Sequence, residues 1–340
     1  MIKIHLINYV LMIIYYYNII MKTILVTGAA GFIGVHLCEE LLGDSNNLVV
    51  GMDNLITGSS DNIDYLSKYK NFTMIICDII NKQQLFNELN KVDSINEIYH
   101  LASIASPKMY MRYPLETMDV NVLGTRNLLE YIGNKPIKFL LTSTSEVYGD
   151  PEIHPQKENY YGNVNTVGIR SCYDESKRCA ETYVHTFRQL YNQNSKIVRI
   201  FNTYGPKMSL NDGRVITNFI SNILENKPIN IYGDGKQTRS FCYVTDMVDG
   251  LIKMMSSDER GPINLGNPNH EINMLQLKDE FEKTIGRTIQ CNYVEKYEND
   301  PMVRKPDIGL AKNKLNFDPK TNIVEGLYLT WNYYASQKIS

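Results

Sequence analysis

Residues 27–34 read Thr-Gly-Ala-Ala-Gly-Phe-Ile-Gly, between an apolar run at 22–27 and an amphipathic segment that reaches Leu42. Nothing else in the chain constrains its fold as strongly. Gly28 permits a tight strand-to-helix turn, Gly31 lets backbone approach a pyrophosphate, and Gly34 lets the helix pack close on its sheet. Phe32 and Ile33 belong to the same turn, where a helix N-terminus offers free N–H groups and positive dipole to phosphates. A glycine triplet alone is weak evidence. Here a second apolar run, Leu48 to Met52, ends in Asp53, 19 residues after Gly34. That is the offset at which an acid hydrogen-bonds a ribose 2′-OH and repels a 2′-phosphate. No Arg stands at 29, 30 or 54, so NAD is expected rather than NADP. Asn54, Thr57 and Gly58 follow as further cofactor candidates.

The strand rhythm continues at 72–77, 97–101, 138–143 and 196–201, with a helix-length segment between neighbours. Such alternation predicts an α/β fold, a Rossmann-type doubly wound parallel sheet, with a smaller C-terminal substrate lobe. Ligands then sit outside the carboxyl ends of the strands. Asp78, Ile79, Leu101, Ala102 and Ser103 lie at such ends and are candidates for the cofactor.

The 340 residues carry 35 Lys+Arg against 37 Asp+Glu, with 43% hydrophobic and 21% charged residues. This is ordinary globular composition and excludes a disordered chain or a polytopic membrane protein. Neutralising many phosphates needs a cationic surplus, so no nucleic-acid partner is expected. The six cysteines form no Cys-x-x-Cys pair and no zinc-like Cys/His cluster. Reduced thiols in the cytoplasm are expected, and no metal. Residues 1–20 are apolar but broken by Asn8 and Asn18, and they run without a spacer into the first strand. A membrane helix ending there would push the domain into the headgroups. Of an anchor, an extra packed element and a start codon assigned too early, with translation from Met21, the last is the expectation, and no membrane is expected as a partner.

Tyr173-Asp174-Glu175-Ser176-Lys177 opens a helical segment that runs to about Gln193. Spacing of four puts Tyr173 and Lys177 on one face. A tyrosine is a poor base at neutral pH, and a neighbouring ammonium favours its phenolate. Upstream, the strand at 138–143 runs into Thr144-Ser145-Glu146, which brings hydroxyls and a carboxylate to the same sheet edge. Tyr-x-x-x-Lys alone is common on solvated helices. Its order behind the glycine turn and the Ser/Thr strand end makes the pattern specific.

TGAAGFIG, HLAS, STSEVYG, YDESK and RIFNTYGP together resemble the extended short-chain dehydrogenase/reductase family of sugar-nucleotide epimerases, dehydratases and decarboxylases, from Met21 to about Tyr334. Segments 143–156, 172–178, 199–215, 232–246 and 299–308 are most similar to its UDP-glucuronate decarboxylase branch. The 4,6-dehydratases carry an Asp where this chain has Ser145, because their departing hydroxyl must be protonated. The 4-epimerases usually lack the Glu and the Arg-Lys-Pro segment. Both remain the alternatives.

The resemblance implies oxidation at C4 by Tyr173 and bound NAD, with Lys177 lowering the tyrosine's pKa. Loss of CO2 from the 4-keto uronate follows, then re-reduction to UDP-xylose. Thr144 or Ser145 would hold the C4 oxygen, while Glu146 and Arg304 manage the C5 proton and the carboxylate. Arg170 is a weaker candidate for that carboxylate. Tyr110, Asn127, Asn202, Arg214, Tyr232, Arg239 and Arg304 would bind the UDP-sugar, and Thr203 and Arg214 would also meet the cofactor. Ile104, Ser176 and Asp119 depart from the family pattern, the last removing a cation near the nucleotide-sugar. The NAD-binding domain is expected at 21–202, and the substrate lobe at 203–340 with one return of the chain. A homodimer is implied by the resemblance alone.

Overall fold

A computed structural model describes residues 21–295 and 302–339. The first twenty residues, and with them the question of an early start or an anchor, lie outside this range. Six parallel strands form in sequence order: β1 (Lys22–Thr27), β2 (Asn47–Asp53), β3 (Phe72–Ile76), β4 (Ile95–His100), β5 (Lys138–Thr144) and β6 (Ser195–Ile200). A seventh, Ile263–Leu265, pairs with β6. Across the sheet the order is seventh strand, β6, β5, β4, β1, β2, β3. All pairs are parallel.

Alternation within each strand serves two cores. Ile24, Val26, Tyr99, Leu140 and Val198 face one side, under the helices Phe32–Leu42 and Val244–Ser256. Leu25, Ile98, Phe139, Leu141 and Ile197 face the other, under the helices Thr125–Ile132 and Ser171–Tyr191. A sheet covered on both faces reads as continuous apolar runs, which is why these strands were legible. Truncating a buried leucine such as Leu140 to Ala would cost about 2–5 kcal/mol.

A third core forms the smaller lobe, from helices Val215–Leu224, Met274–Ile285 and Ile323–Ile339 around Phe219, Phe281 and Leu327. Position 202 marks the first exit from the sheet domain rather than a clean boundary. The helix Val244–Ser256 and the seventh strand return to the sheet, and Ile308, Ala311, Leu315 and Phe317 return again to its first core. The chain therefore comes back twice, where one return was expected. Strand order reverses between β1 and β4, whose outgoing connections leave in opposite directions. The crevice at their carboxyl ends is where ligands bind in such sheets. Among the described residues no helix is long and apolar enough to cross a membrane.

Candidate active site

One cavity of about 1950 Å³ occupies that crevice and is lined by both lobes. Single-ligand pockets run to about 1,000 Å³. This one has room for a dinucleotide and a sugar nucleotide together.

At one end stands the glycine turn. Gly28 has φ +75°, and a Cβ there would lie 2.7 Å from the Ala102 nitrogen; at Gly34 a Cβ would lie 2.0 Å from the Gly28 carbonyl. Only hydrogen fits either place. Asp53 Oδ2 accepts from Ala30 N at 3.1 Å and Oδ1 from Leu55 N at 2.9 Å. Burial raises its pKa, and these N–H groups oppose the rise. Its remaining lone pairs can take ribose hydroxyls. Phe32, Ile33, Asn54, Thr57, Gly58, Ile79, Leu101 and Ser103 also line the cavity. Asp78 stands behind this lining and accepts from Asn54 Nδ2 at 3.2 Å. A cradle that a Cβ would fill, facing a fixed carboxylate, fits NAD.

In the middle, Tyr173 is 6% exposed and stacks on Tyr110, with centroids 5.1 Å apart and planes at 9°. Lys177 lies on the same helix face, its Nζ 6.0 Å from the Tyr173 ring centroid and donating to the Thr142 carbonyl at 2.9 Å. Burial pushes Tyr173 up to about 12, opposed by the Thr144 hydroxyl and by Arg214. Burial also pushes Lys177 itself down to about 7, opposed by Glu181. Desolvation outweighs proximity here. The helix 114–132 carries one π turn at Val120–Gly124. There Asn121 accepts from the Ser103 hydroxyl and donates to Ser176, whose hydroxyl reaches the Tyr173 carbonyl. The loop after β4 and the helix bearing Tyr173 are thereby tied.

At the other end of the cavity, β5 runs into a tight turn. The Thr144 hydroxyl accepts from Glu146 N at 3.2 Å, and Ser145 is buried beside it. Arg304 arrives on the short strand Val303–Arg304, which pairs with Thr238–Ser240. It is 1% exposed, donating to the Ser145 carbonyl at 2.7 Å and to Glu146 Oε2 at 3.1 Å. Arg170 Nη2 reaches the same Glu146 oxygen at 2.5 Å. Burial alone would raise Glu146, but Arg304 and Arg170 overrule it and hold the carboxyl well below its ordinary range.

Arg214 Nη2 donates to the Ala105 carbonyl at 2.9 Å, and its Nε lies 3.4 Å from Asp212. Asn202, Thr203, Tyr232 and Arg239 line the same end. Among the described residues the buried Asn202 Nδ2 and Tyr110 hydroxyl have no hydrogen-bond partner, as groups awaiting a ligand would. Asn127 is the exception. Its Nδ2 donates to the Ile79 and Ile80 carbonyls at 2.9 and 3.0 Å, away from the cavity lining. It anchors the loop after β3.

Sequence reasoning passed over Asp174, the neighbour of Tyr173, and Asp212, the partner of Arg214. Asp174 is 8% exposed, and its Oδ1 has no hydrogen-bond partner among the described residues. Burial and then Glu146 raise its pKa to about 7, against Arg170 and Arg304. Its adjacency to the tyrosine was the one available signal. No group of metal-binding side chains occurs among the described residues.

Residues 24–266 match the model of the NAD dependent epimerase/dehydratase family. UDP-glucuronic acid decarboxylase 6 of Arabidopsis thaliana is 46% identical over 306 residues, which span 90% of this chain and 87% of that protein. UDP-glucuronic acid decarboxylase 1 of Xenopus tropicalis is 42% identical over 316 residues, 93% of this chain and 73% of that protein. Among solved structures, UDP-glucuronic acid 4-epimerase from Bacillus cereus, in complex with UDP-glucuronic acid and NAD, superposes with TM-score 0.84 at 30% identity, covering 93% and 100% of the two chains.

Proposed function

The chain belongs to the NAD dependent epimerase/dehydratase family, and within it we propose that the protein is a UDP-glucuronate decarboxylase that forms UDP-xylose with NAD as its cofactor. The observation that carries this reading is 46% identity with decarboxylases across 90% of the chain, against 30% with an epimerase of the same fold. Ser145 supports it, since a serine cannot protonate a departing C6 hydroxyl at neutral pH.

Gly28, Gly31 and Gly34 would hold the pyrophosphate of NAD, and Asp53 its ribose. When bound, NAD would supply the hydride acceptor for C4 and, once reduced, the hydride for the closing reduction. The tyrosine oxygen takes the C4-OH proton, helped by the Lys177 ammonium and the Thr144 hydroxyl. The resulting ketone is β to the C6 carboxylate, so its oxygen can accept the electron pair as CO2 leaves. Thr144 is placed to hydrogen-bond that developing enolate, an oxyanion-type role. Glu146, kept ionised by two guanidiniums, orients the group that delivers a proton to C5; it is too acidic to be the store of that proton. Arg214 and Arg239 supply the cations for the diphosphate, and Asn202 and Tyr232 line the same end. In the site as it stands, Arg304 is engaged with Ser145 and Glu146.

The same reading includes a homodimer and a cytoplasmic setting. Leu115, Met118 and Leu123 on the helix 114–132, with Leu190 and Tyr191 on the catalytic helix, leave apolar side chains exposed on neighbouring elements. Light scattering on the purified protein tests the dimer. All six cysteines are free, as a reducing compartment requires.

Incubation with UDP-glucuronate and no added NAD, followed by NMR, tests the function. UDP-xylose with CO2 is the expected product, and it would establish a retained cofactor as well. Release of UDP-4-keto-pentose would keep the decarboxylation and remove the closing reduction. Turnover of UDP-glucose or dTDP-glucose instead would overturn the reading.

A further inference from the structure

Residues 207–214, between the short strand Thr203–Tyr204 and the helix Val215–Leu224, all line the cavity. Both ends of this strap are fastened to the sheet domain. The Pro206 carbonyl lies 3.0 Å from His36 Nε2, on the helix that follows β1. At the other end Arg214 Nη2 donates to the carbonyl of Ala105, in the loop after β4. The strap thus bridges the crevice between β1 and β4, where a dinucleotide binds in such sheets. Its middle belongs to the smaller lobe: the Tyr334 hydroxyl donates to the Met208 carbonyl, and Leu210 packs against the third core.

Lys207 is the strained point. Its φ is +63°, a region that residues other than glycine rarely adopt. Such strain persists only where surrounding contacts impose it. Here the side chain makes them, with Nζ 3.1 Å from the centroid of the Tyr65 ring and 3.7 Å from Glu39 Oε2. Among the described residues this buried Nζ has no hydrogen-bond partner. Glu39 Oε1 accepts from the Tyr65 hydroxyl, so ring and carboxylate form one socket. A cation taken out of water gains more from a ring face than an exposed one does.

The socket is joined to the phosphate-binding turn. Glu39 and His36 stand on the helix that the glycine turn opens. Tyr65 stands on the helix Ser60–Leu66, whose Asn62 donates to the Ala30 carbonyl at 2.8 Å. Ser59 N donates to the same oxygen at 3.0 Å.

We propose that Lys207 is a positioning residue that pins the strap across bound NAD, so that the cofactor passes only when the ammonium lifts off Tyr65 and Glu39. The inference rests on NAD as the cofactor and not on which sugar the site converts. The pin joins two parts of the chain, so its loss lowers the barrier to passage in both directions. A contact that merely adds affinity would change release alone.

Protein loaded with isotopically labelled NAD is diluted into excess unlabelled NAD, and the retained label is followed in time. Uptake of label by cofactor-free protein gives the opposite rate. Lys207→Met keeps the stem and removes the ammonium. It should speed both release and uptake about tenfold, the size of one desolvated cation–ring contact, with Kd nearly unchanged. Tyr65→Leu tests the same contact from the other side, should Lys207→Met not fold, and the double variant should be no faster than either. Lys207→Arg can still stack on the ring and should restore most of the retention. Lys68→Met removes a cation 5.7 Å from the same ring but off the strap, and should match wild type. Wild-type rates in Lys207→Met, or faster release with unchanged uptake, would overturn the pin. Wild-type protein that takes up no label would overturn the cofactor assignment with it.

Discussion

Arg304 and Glu146, 158 positions apart in the chain, meet at 3.1 Å in the cleft, and the same guanidinium binds the Ser145 carbonyl at 2.7 Å. The pair closes the second lobe onto the turn that follows β5. Arg304→Ala should lower stability by about 3–5 kcal/mol, the effect of breaking a buried charge pair on one side. Arg304→Lys, which keeps the charge but not the fork, should recover part of that. Glu146 has a folded pKa below its unfolded value, so its contribution is present above the ordinary carboxylate range and lost as pH falls through the folded value. Without Arg304 that loss begins at higher pH. Urea unfolding at neutral and acid pH measures both effects, and an Arg304→Ala protein as stable as wild type at both would contradict the pairing.

Gly34→Ala should empty the cofactor site. The new Cβ would stand 2.0 Å from the Gly28 carbonyl and 2.9 Å from the Ala29 Cα, both backbone, so the turn itself must move. Acid extraction of the purified protein should release NAD from wild type and almost none from the variant. Equal NAD content in the two would show that the turn does not carry the pyrophosphate.

The glycine turn, the strand rhythm and the Tyr173–Lys177 spacing were legible because each is a local pattern with one physical reading. What depended on burial or on distant chain was not. The 340 residues give no hint that desolvation, rather than Lys177, dominates Tyr173, since that follows from the closure of the cleft. Nor does the sequence show that Asn127 donates to two carbonyls 48 and 47 positions away, in the loop after β3. Arg170 acquires meaning only when the turn after β5 meets it. The division at 202 blurred for the same reason: the helix Val244–Ser256 and the segment at 308–317 return to the first core from far along the chain.

Tyr173→Phe removes one oxygen and leaves the ring to stack on Tyr110. Stability should change by no more than about 1.5 kcal/mol, the net worth of one hydrogen bond. The kcat should fall by about 10²–10⁴, the usual contribution of a positioned acid or base. Single-turnover rates on variant protein that retains its NAD check this. A kcat within a few fold of wild type would remove Tyr173 from the chemistry.

Lys177 links activity to stability through its burial. Its folded pKa, about 7, lies below the ordinary 10.5. Between those values the unfolded chain holds a proton that the native state does not, so stability rises with pH across that window. Below about 7 the native state must carry a desolvated ammonium, and the full penalty applies. Lys196 shifts in the same direction, so the comparison must be with a variant that alters Lys177 alone. Lys177→Met should lose activity and show a shallower rise of unfolding free energy from neutral to alkaline pH. Urea titrations of cofactor-free wild type and variant at matched pH values measure the two slopes. Identical slopes would mean that Lys177 keeps its ammonium through the alkaline range, and that the Thr142 carbonyl compensates its burial in full.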